Sequence, residues 1–228
     1  MGIIQRYKNF EHGKTLPDPL DLTNPDHRKI AMFHFDWADH QVLRRRWTNF
    51  CEIAPGVYRS NQPTHERWEE YAKLGIKTVI NLRGASPKRP HFLFEVESLE
   101  KLGIHRLDIP LHARSAPPMQ SIQALLEAFR TIDRPFLMHC KSGADRAGLA
   151  SVLYKLLVEK APLAEARKML SLRFLHVKWH TTGVLDYFLD VYEARNAKSP
   201  IAFEDWLRLE YDEAALNAGF KDGRKIPQ

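Results

Sequence analysis

Residues 138–148 read MHCKSGADRAG and contain a cysteine, five further residues and an arginine. In a Cys-x5-Arg loop the backbone can curl so that several amide N–H groups point inward, and the N-terminus of a following helix extends the same anion-binding hollow. These positive groups favour the thiolate form of a cysteine, which is the attacking form. An arginine fork can hold two phosphate oxygens at once. The spacing therefore predicts attack on a bound phosphate by Cys140, with the phosphate held by Lys141, Ser142, Gly143, Ala144 and Arg146.

The elements around this loop decide whether the interpretation is reasonable, because an isolated cysteine is more often a small buried residue than a nucleophile. Residues 136–138, FLM, predict a short buried strand, and residues 147–158 have apolar side chains at helical spacing. Gly143 permits backbone angles that other residues avoid. Strand, glycine-containing loop and helix thus follow one another in the order that this chemistry requires.

The rest of the chain alternates between strand and helix patterns. Strands are predicted at 57–60, 77–82 and 105–109, and helices at 36–49, 64–73, 90–102, 119–131, 162–172, 182–196 and 203–217. This order predicts an α/β fold, with a central mostly parallel sheet flanked by helices. We expect one domain over residues 1–228, with a core at about 50–195. We expect residues 1–49 to form an N-terminal arm followed by a helix, with residues 1–30 laid over the surface or partly disordered. We expect residues 196–228 to form a C-terminal helical extension.

Composition narrows the function classes further. The chain has 228 residues, a formal charge of +6 and two cysteines, Cys51 and Cys140, without a signal-like N-terminus or a membrane-length apolar run. These features predict a soluble cytoplasmic protein without an obligate partner. No nucleic-acid-binding motif is present. The Arg44-Arg45-Arg46 cluster is interpreted first as a solvated helix face, and second as a peripheral contact with an anionic membrane surface.

His139-Cys140-x5-Arg146 resembles the signature of the cysteine-based protein tyrosine and dual-specificity phosphatase superfamily. Residues 56–63 (GVYRSNQP) and 74–83 (LGIKTVINLR) resemble the opening of the atypical dual-specificity phosphatases, so the resemblance covers about residues 50–195. The aspartate just before the arginine, Asp145, resembles the signature of a bacterial group that includes enzymes acting on phospholipids as well as phosphotyrosine. The resemblance implies hydrolysis through a cysteinyl-phosphate, without metal or cofactor, on a phosphorylated protein, lipid or small molecule.

The proton donor for the leaving oxygen has two candidates. Asp108 lies 32 residues before Cys140, a spacing similar to that of the aspartate on a separate loop in many family members. Asp145 lies within the phosphate loop itself, as in the bacterial subgroup, and is the preferred candidate. Salt bridging for Asp145 and a strand-end turn for Asp108 are the structural alternatives. His139 is interpreted as a supporting residue that orients the loop.

One position departs from the family pattern, because Ala147 stands where most members have a serine or threonine that assists breakdown of the cysteinyl-phosphate. Ser142 could compensate. The departure keeps open a second class, a phosphate-binding module with slow or no turnover. A third class, a sulfur-transfer or arsenate-reducing enzyme with a similar anion loop, is less favoured because Arg146 and Asp145 together suit phosphoryl transfer better. His176 and His180 have a metal-ligand spacing, but without an acidic helper coincidence or helix capping is preferred. Further cations predicted near the loop are Arg83, Lys88, Arg89, Arg114 and His112.

Overall fold

The computed structural model describes residues 3–224, with side chains from residue 5 onwards. Its strands are β1 (Cys51–Ala54), β2 (Val57–Ser60), β3 (Thr78–Asn81), β4 (His105–Asp108) and β5 (Phe136–His139). Its helices are α1 (Ile3–Glu11), α2 (Pro25–Trp37), α3 (Gln41–Arg44), α4 (His65–Lys73), α5 (Pro90–Leu102), α6 (Met119–Thr131), α7 (Arg146–Leu157), α8 (Leu163–Ala166), α9 (Val184–Lys198), α10 (Phe203–Leu209) and α11 (Glu213–Lys221).

The five strands form one sheet in the order β1-β2-β5-β3-β4. Only β1 runs antiparallel to its neighbour, and the other strand pairs are parallel. Helices cover both faces, so the predicted mostly parallel sheet flanked by helices is confirmed. β5 is the central strand and every residue in it is buried, so the loop that follows begins at the carboxyl end of the middle of the sheet.

The side chains of β5 alternate between two apolar clusters, as expected for a strand buried on both faces. Phe136 and Met138 pack in the larger cluster, which includes residues of α6, α7, α9 and α10. Leu137 packs in a smaller cluster with residues of α4 and α5. His139 points to this second side, where its ring meets the edge of Trp68 at 5.6 Å between centroids.

The prediction for the N-terminal region missed two helix starts. Residues 5–30 are exposed or half-buried, as expected for an arm on the surface, but α1 and the first six residues of α2 lie within the predicted arm. Asn24 caps α2 by accepting from two backbone N–H groups, and Pro25 fits the first helical turn. The helix predicted at 36–49 is also wrong, since α2 ends at Trp37 and His40 adopts a left-handed φ of 62° before the short α3.

Corrections also apply to the second half of the chain. The helix predicted at 162–172 is only the four-residue α8, followed by 3-10 turns at Arg167–Met169 and Leu172–Phe174. The helix predicted at 203–217 is divided into α10 and α11, because Asp212 is an extended residue that caps α11. The C-terminal residues Phe203 and Trp206 pack in the larger core cluster. Strand β1 was not predicted from the sequence.

None of the helices described within residues 3–224 has the length and apolar sequence required to cross a membrane.

Candidate active site

The loop of residues 140–145 connects the end of β5 to the first turn of α7. His139, the last residue of β5, pairs in register with Ser60 of β2 and Asn81 of β3. The next residue, Cys140, is only 1% exposed. The loop therefore sits where three parallel strands end and a helix begins, a position at which backbone N–H groups are available for an anion.

Three buried side chains from outside the loop hold its carbonyl oxygens. Their bonds are Arg44 Nη1 to Lys141 O (2.8 Å), Asn49 Nδ2 to Ser142 O (3.0 Å), and Arg59 Nη2 to Gly143 O and to Ala144 O (3.3 Å for the latter). Because C=O and N–H point in opposite directions across a trans peptide, these bonds turn the loop amides to the opposite side. Within residues 3–224 the N–H groups of Ser142, Gly143 and Asp145 have no acceptor, so they are available to a ligand.

Gly143 is required by this geometry for two reasons. Its φ is 72°, in the left-handed region that favours glycine. A Cβ atom at this position would lie 2.7 Å from the backbone nitrogen of Asn61, which follows β2. The close approach of these two backbones fixes the outer wall of the loop, and a side chain at residue 143 would separate them.

A buried polar network supports the loop from behind. Nε2 of His139 lies 3.2 Å from a carboxylate oxygen of Glu95 on α5, and Gln62 also donates to this carboxylate. Burial raises the pKa of Glu95, but the charge and hydrogen bond of His139 outweigh it and lower the pKa overall. Gln62 in turn accepts a hydrogen bond from Arg83 at 3.0 Å. His139, the residue before Cys140, is thus oriented by a chain of polar contacts through Glu95 and Gln62 to Arg83.

The cations nearest the loop share one buried carboxylate. Asp39 lies 2.6 Å from Arg44, 2.7 Å from Arg83 and 3.7 Å from Lys141. Burial raises the pKa of Asp39, but the two guanidinium groups outweigh it and hold the pKa far below its usual range. Arg44 also interacts electrostatically with Cys140. The interpretation of Arg44 as part of a solvated helix face is therefore wrong, because it is a buried support of the phosphate loop.

An open cleft of about 790 Å³ lies against the exposed side of the loop. Four of the predicted site residues line it: Lys141, Ser142, Asp145 and Arg146. His112 and Arg114, from the segment after β4, also line it. Within the described residues Arg114 forms no hydrogen bond or ion pair, and the guanidinium of Arg146 has only a long contact of 3.5 Å with the carbonyl oxygen of Leu82. Both cations are therefore available to an anionic ligand.

Asp145 is part of a three-residue chain that the sequence did not reveal. Its Oδ1 lies 2.8 Å from Nδ1 of His176, whose Nε2 lies 2.7 Å from Oδ2 of Asp186 on α9. Burial lowers the pKa of His176, but hydrogen bonds and charges of the two carboxylates raise it overall, to about 9. The two histidines at this spacing have separate partners, because His176 lies between Asp145 and Asp186 whereas the ring of His180 hydrogen-bonds to Thr181.

The family model described as "DSP-PTPase phosphatase fused to NAD+ Kinase" matches residues 32–177, more than half of the chain. This chain belongs to that family. The resemblance inferred from His139, Cys140 and Arg146 is thereby confirmed, and the chain is a member of the dual-specificity phosphatase-like superfamily.

This phosphatase-family chain is also similar to individual proteins over part of its length. It is 26% identical over 115 residues to the dual specificity protein phosphatase TpbA of Pseudomonas aeruginosa, which covers 49% of this chain and 48% of that protein. It is 31% identical over 122 residues to dual specificity protein phosphatase 26 of Bos taurus, with 51% and 56% covered. The chain thus spans about half the length of the curated relatives it matches. The crystal structure of TpbA superimposes with a TM-score of 0.52 at 22% identity, covering 71% of this chain and 89% of that one.

Asp108, the other acid candidate in this family member, lies elsewhere. It ends β4, the edge strand, and accepts a hydrogen bond from Asn81 at 2.7 Å. Arg106 lies 3.3 Å from the same carboxylate oxygen. Asp108 is not among the residues that line the cleft. Of the two acids predicted from the sequence, Asp145 therefore lies at the cleft, whereas Asp108 is bound by Asn81 and Arg106 at the end of the edge strand.

The position after Arg146 keeps its departure from the family pattern in the folded chain. Ala147 is fully buried in α7, and its carbonyl oxygen accepts from Ser151. Ser142, the possible substitute, lines the cleft, and its hydroxyl accepts a hydrogen bond from the N–H of Ala144 at 3.3 Å. Of the more distant cations, Lys88 pairs with Asp18 at 2.9 Å and does not reach the cleft.

Several supporting residues were not found by sequence reasoning. Arg59, Asn49 and Glu95 lie 84, 93 and 44 residues from their partners in the loop or at His139. Arg59 also donates to the carbonyl of Met169, and its guanidinium stacks 3.9 Å from the ring centre of Phe174. A charged residue in the middle of a buried strand was the one available signal for Arg59, because burial of a charge requires specific partners.

Proposed function

We propose that this chain is a cysteine-dependent phosphomonoester hydrolase that works through a cysteinyl-phosphate. The arrangement of the 140–145 loop carries this proposal. Its carbonyls are held outward by Arg44, Asn49 and Arg59, its amides face the opposite way, and Arg146 is available beside the cleft. Positioned donors of this kind stabilise the charge that develops on the phosphoryl oxygens, with a typical value of about 10²–10³ in rate for each donor.

In the first step, Sγ of the Cys140 thiolate forms a bond to phosphorus while the bond to the leaving oxygen breaks. The leaving oxygen takes a proton from an acid, for which we propose Asp145 in preference to Asp108. The position of Asp145 at the cleft supports this choice, as does the engagement of Asp108 by Asn81 and Arg106. In the second step, water attacks phosphorus and the thiolate leaves.

The substrate class is a phosphomonoester on a protein, a lipid or a small molecule. The cleft is open and is lined by cations from two segments, Lys141 and Arg146 at the phosphate loop and Arg114 after β4. Such a mouth favours substrates with anionic groups beside the scissile phosphate over a phosphotyrosine side chain alone. We propose that residues 1–228 act as one phosphatase domain, supported by the packing of C-terminal residues such as Trp206 and Leu216 in the main core.

Hydrolysis of p-nitrophenyl phosphate in the presence of a metal chelator tests the proposed activity. We expect turnover by the wild type, inhibition by vanadate, and activity reduced to background in Cys140→Ser. Cys51→Ser is the matched control, because Cys51 is the other free cysteine and lies in β1, outside the loop. Loss of activity in both variants, or in neither, would contradict a nucleophilic role for Cys140.

A phosphate-binding module with negligible turnover is the second candidate. The buried Ala147 favours it, because no hydroxyl follows Arg146 to assist the second step. This candidate predicts that the wild type binds vanadate or a phosphorylated ligand tightly while releasing no inorganic phosphate. Continued phosphate release over many turnovers excludes it.

A further inference from the structure

His176 is a buried histidine that contacts the phosphate loop through Asp145. It is 2% exposed and lies in the segment between the 3-10 turn at Leu172–Phe174 and the start of α9. The segment is anchored beside the phosphate loop, because Asn49 donates both to Ser142 O and to Phe174 O. Both ring nitrogens of His176 are occupied, one by Asp145 of the loop and one by Asp186 of α9.

The partners of His176 determine its protonation state. A neutral imidazole has one N–H donor, whereas an imidazolium has two. While Asp145 and Asp186 both accept hydrogen bonds, only the imidazolium satisfies both contacts. The raised pKa of His176, about 9, agrees with this geometry. A positive charge therefore lies 2.8 Å from Oδ1 of Asp145, and Oδ2 remains as the second oxygen of this carboxylate.

We propose that His176, held by Asp186, is a positioning residue that fixes the orientation of the Asp145 side chain for accepting a proton from water during hydrolysis of the cysteinyl-phosphate. This inference rests on the proposed function and deepens it. In the step concerned, the oxygen of water bonds to phosphorus, and the P–Sγ bond breaks with its electron pair remaining on Cys140. The proton of the water passes to Oδ2 of Asp145, and in the next turnover it is delivered to the leaving oxygen of a new substrate.

The buried Ala147 explains why this chain needs such support. A hydroxyl after the arginine is not available for the second step, and Ser142 Oγ is engaged by the N–H of Ala144. Proton removal from the attacking water then depends on Asp145, which belongs to the phosphate loop, whereas Glu11, the other acidic residue lining the cleft, belongs to α1. A carboxylate whose first oxygen is fixed by an imidazolium loses less orientation entropy when it acts than one that rotates freely.

Two isosteric substitutions separate the bonds of His176. In His176→Asn the amide nitrogen replaces Nδ1, so that the bond to Asp145 is retained and the bond to Asp186 is lost. In His176→Gln the amide nitrogen replaces Nε2, so that the bond to Asp186 is retained and the bond to Asp145 is lost. Both variants lose the ring charge and one of two hydrogen bonds. His180→Asn is a control outside the chain of bonds, because His180 is exposed and, among the described residues, the hydrogen bond of its ring is to Thr181.

Rapid-mixing kinetics with p-nitrophenyl phosphate measure the effect, because this leaving group hardly needs a proton and the second step can be isolated. In His176→Gln we expect kcat to fall on the order of 10- to 100-fold, with an initial burst of about one nitrophenolate per active site. KM should fall with it, so that kcat/KM stays near the wild-type value, as expected when only breakdown of the intermediate is slowed. His176→Asn should lose clearly less, and His180→Asn should match the wild type.

Equal losses in the Asn and Gln variants, or a fall of kcat/KM as large as that of kcat, would overturn the positioning role. If both variants fail to fold, Asp186→Asn serves instead, since it removes one charge from a half-buried carboxylate at the first turn of α9. An unchanged kcat in that variant overturns the proposal, and a joint fall of kcat and KM supports it. Absence of hydrolysis by the wild type would overturn the proposed function itself, together with this inference, and is thereby distinguishable from failure of the His176 role alone.

Discussion

The stability of the protein should depend on pH through His176. Its pKa is raised from 6.5 to about 9 in the folded state, so the native state binds more protons than the unfolded state between these values. The contribution to stability is therefore fully present below pH 6.5, decreases across the window and is lost as pH rises through about 9. A pKa difference of one corresponds to about 1.4 kcal/mol, which gives a total of roughly 3 kcal/mol for this buried group.

Urea unfolding followed by tryptophan fluorescence can measure this contribution. The free energy of unfolding is determined at about pH 6 and about pH 10 for the wild type and for His176→Gln, which cannot titrate. Other groups titrate in the same range, but they are present in both proteins and cancel in the difference between the two pH effects. We expect the wild type to lose roughly 3 kcal/mol more than the variant. Equal pH effects in the two proteins would refute the assignment of a charged His176 between two carboxylates.

Three further predictions concern the loop. Gly143→Ala should destabilise the protein by more than the roughly 1–3 kcal/mol expected for backbone strain alone, because its Cβ meets the backbone of Asn61. Gly103→Ala is the control, since Gly103 has a similar φ of 64° but nothing lies near its Cβ position. Equal losses of unfolding free energy in urea would contradict the close approach of residue 143 to Asn61. Arg146→Lys should lower kcat/KM by about 10²–10³, since a single ammonium cannot replace the fork, and a loss below about tenfold would argue against bidentate binding. Asp145→Asn should lower kcat/KM for an alkyl phosphate by at least about 10² relative to p-nitrophenyl phosphate, whereas Asp108→Asn should lower both little; the reverse order would transfer the acid role to Asp108.

Local sequence signals were sufficient for the elements that carry the nucleophile. The limits of α5 and α6 agree with the predictions at 90–102 and 119–131, because both helices have proline in or before the first turn. A clear stop ends each helix, and for α5 it is Gly103 in the left-handed conformation. The strand, loop and helix around Cys140 were predictable for the same reason, since the spacing and the flanking patterns lie within about twenty residues of one another.

The support of the site could not be predicted, because it is built from contacts between distant parts of the chain. Arg44 and Lys141 are 97 positions apart, and the Arg44-Arg45-Arg46 run has the composition of a solvated surface. Only the fold places Asp39 beside Arg44 and thereby makes its burial favourable. His176 is similar: its spacing to His180 suggested a pair, whereas its partners are Asp145, 31 residues before it, and Asp186 on α9.

The covalent intermediate is the direct test of the central claim that Cys140 attacks the bound phosphate. The wild type is mixed with p-nitrophenyl phosphate, quenched in acid during the initial burst, and examined by intact mass and by peptide fragmentation. We predict a mass increase of one phosphoryl group located on Cys140, absent from Cys140→Ser and present in Cys51→Ser. Turnover of the substrate with no phosphoryl group on Cys140 at any quench time, or with the group on another residue, would contradict this mechanism.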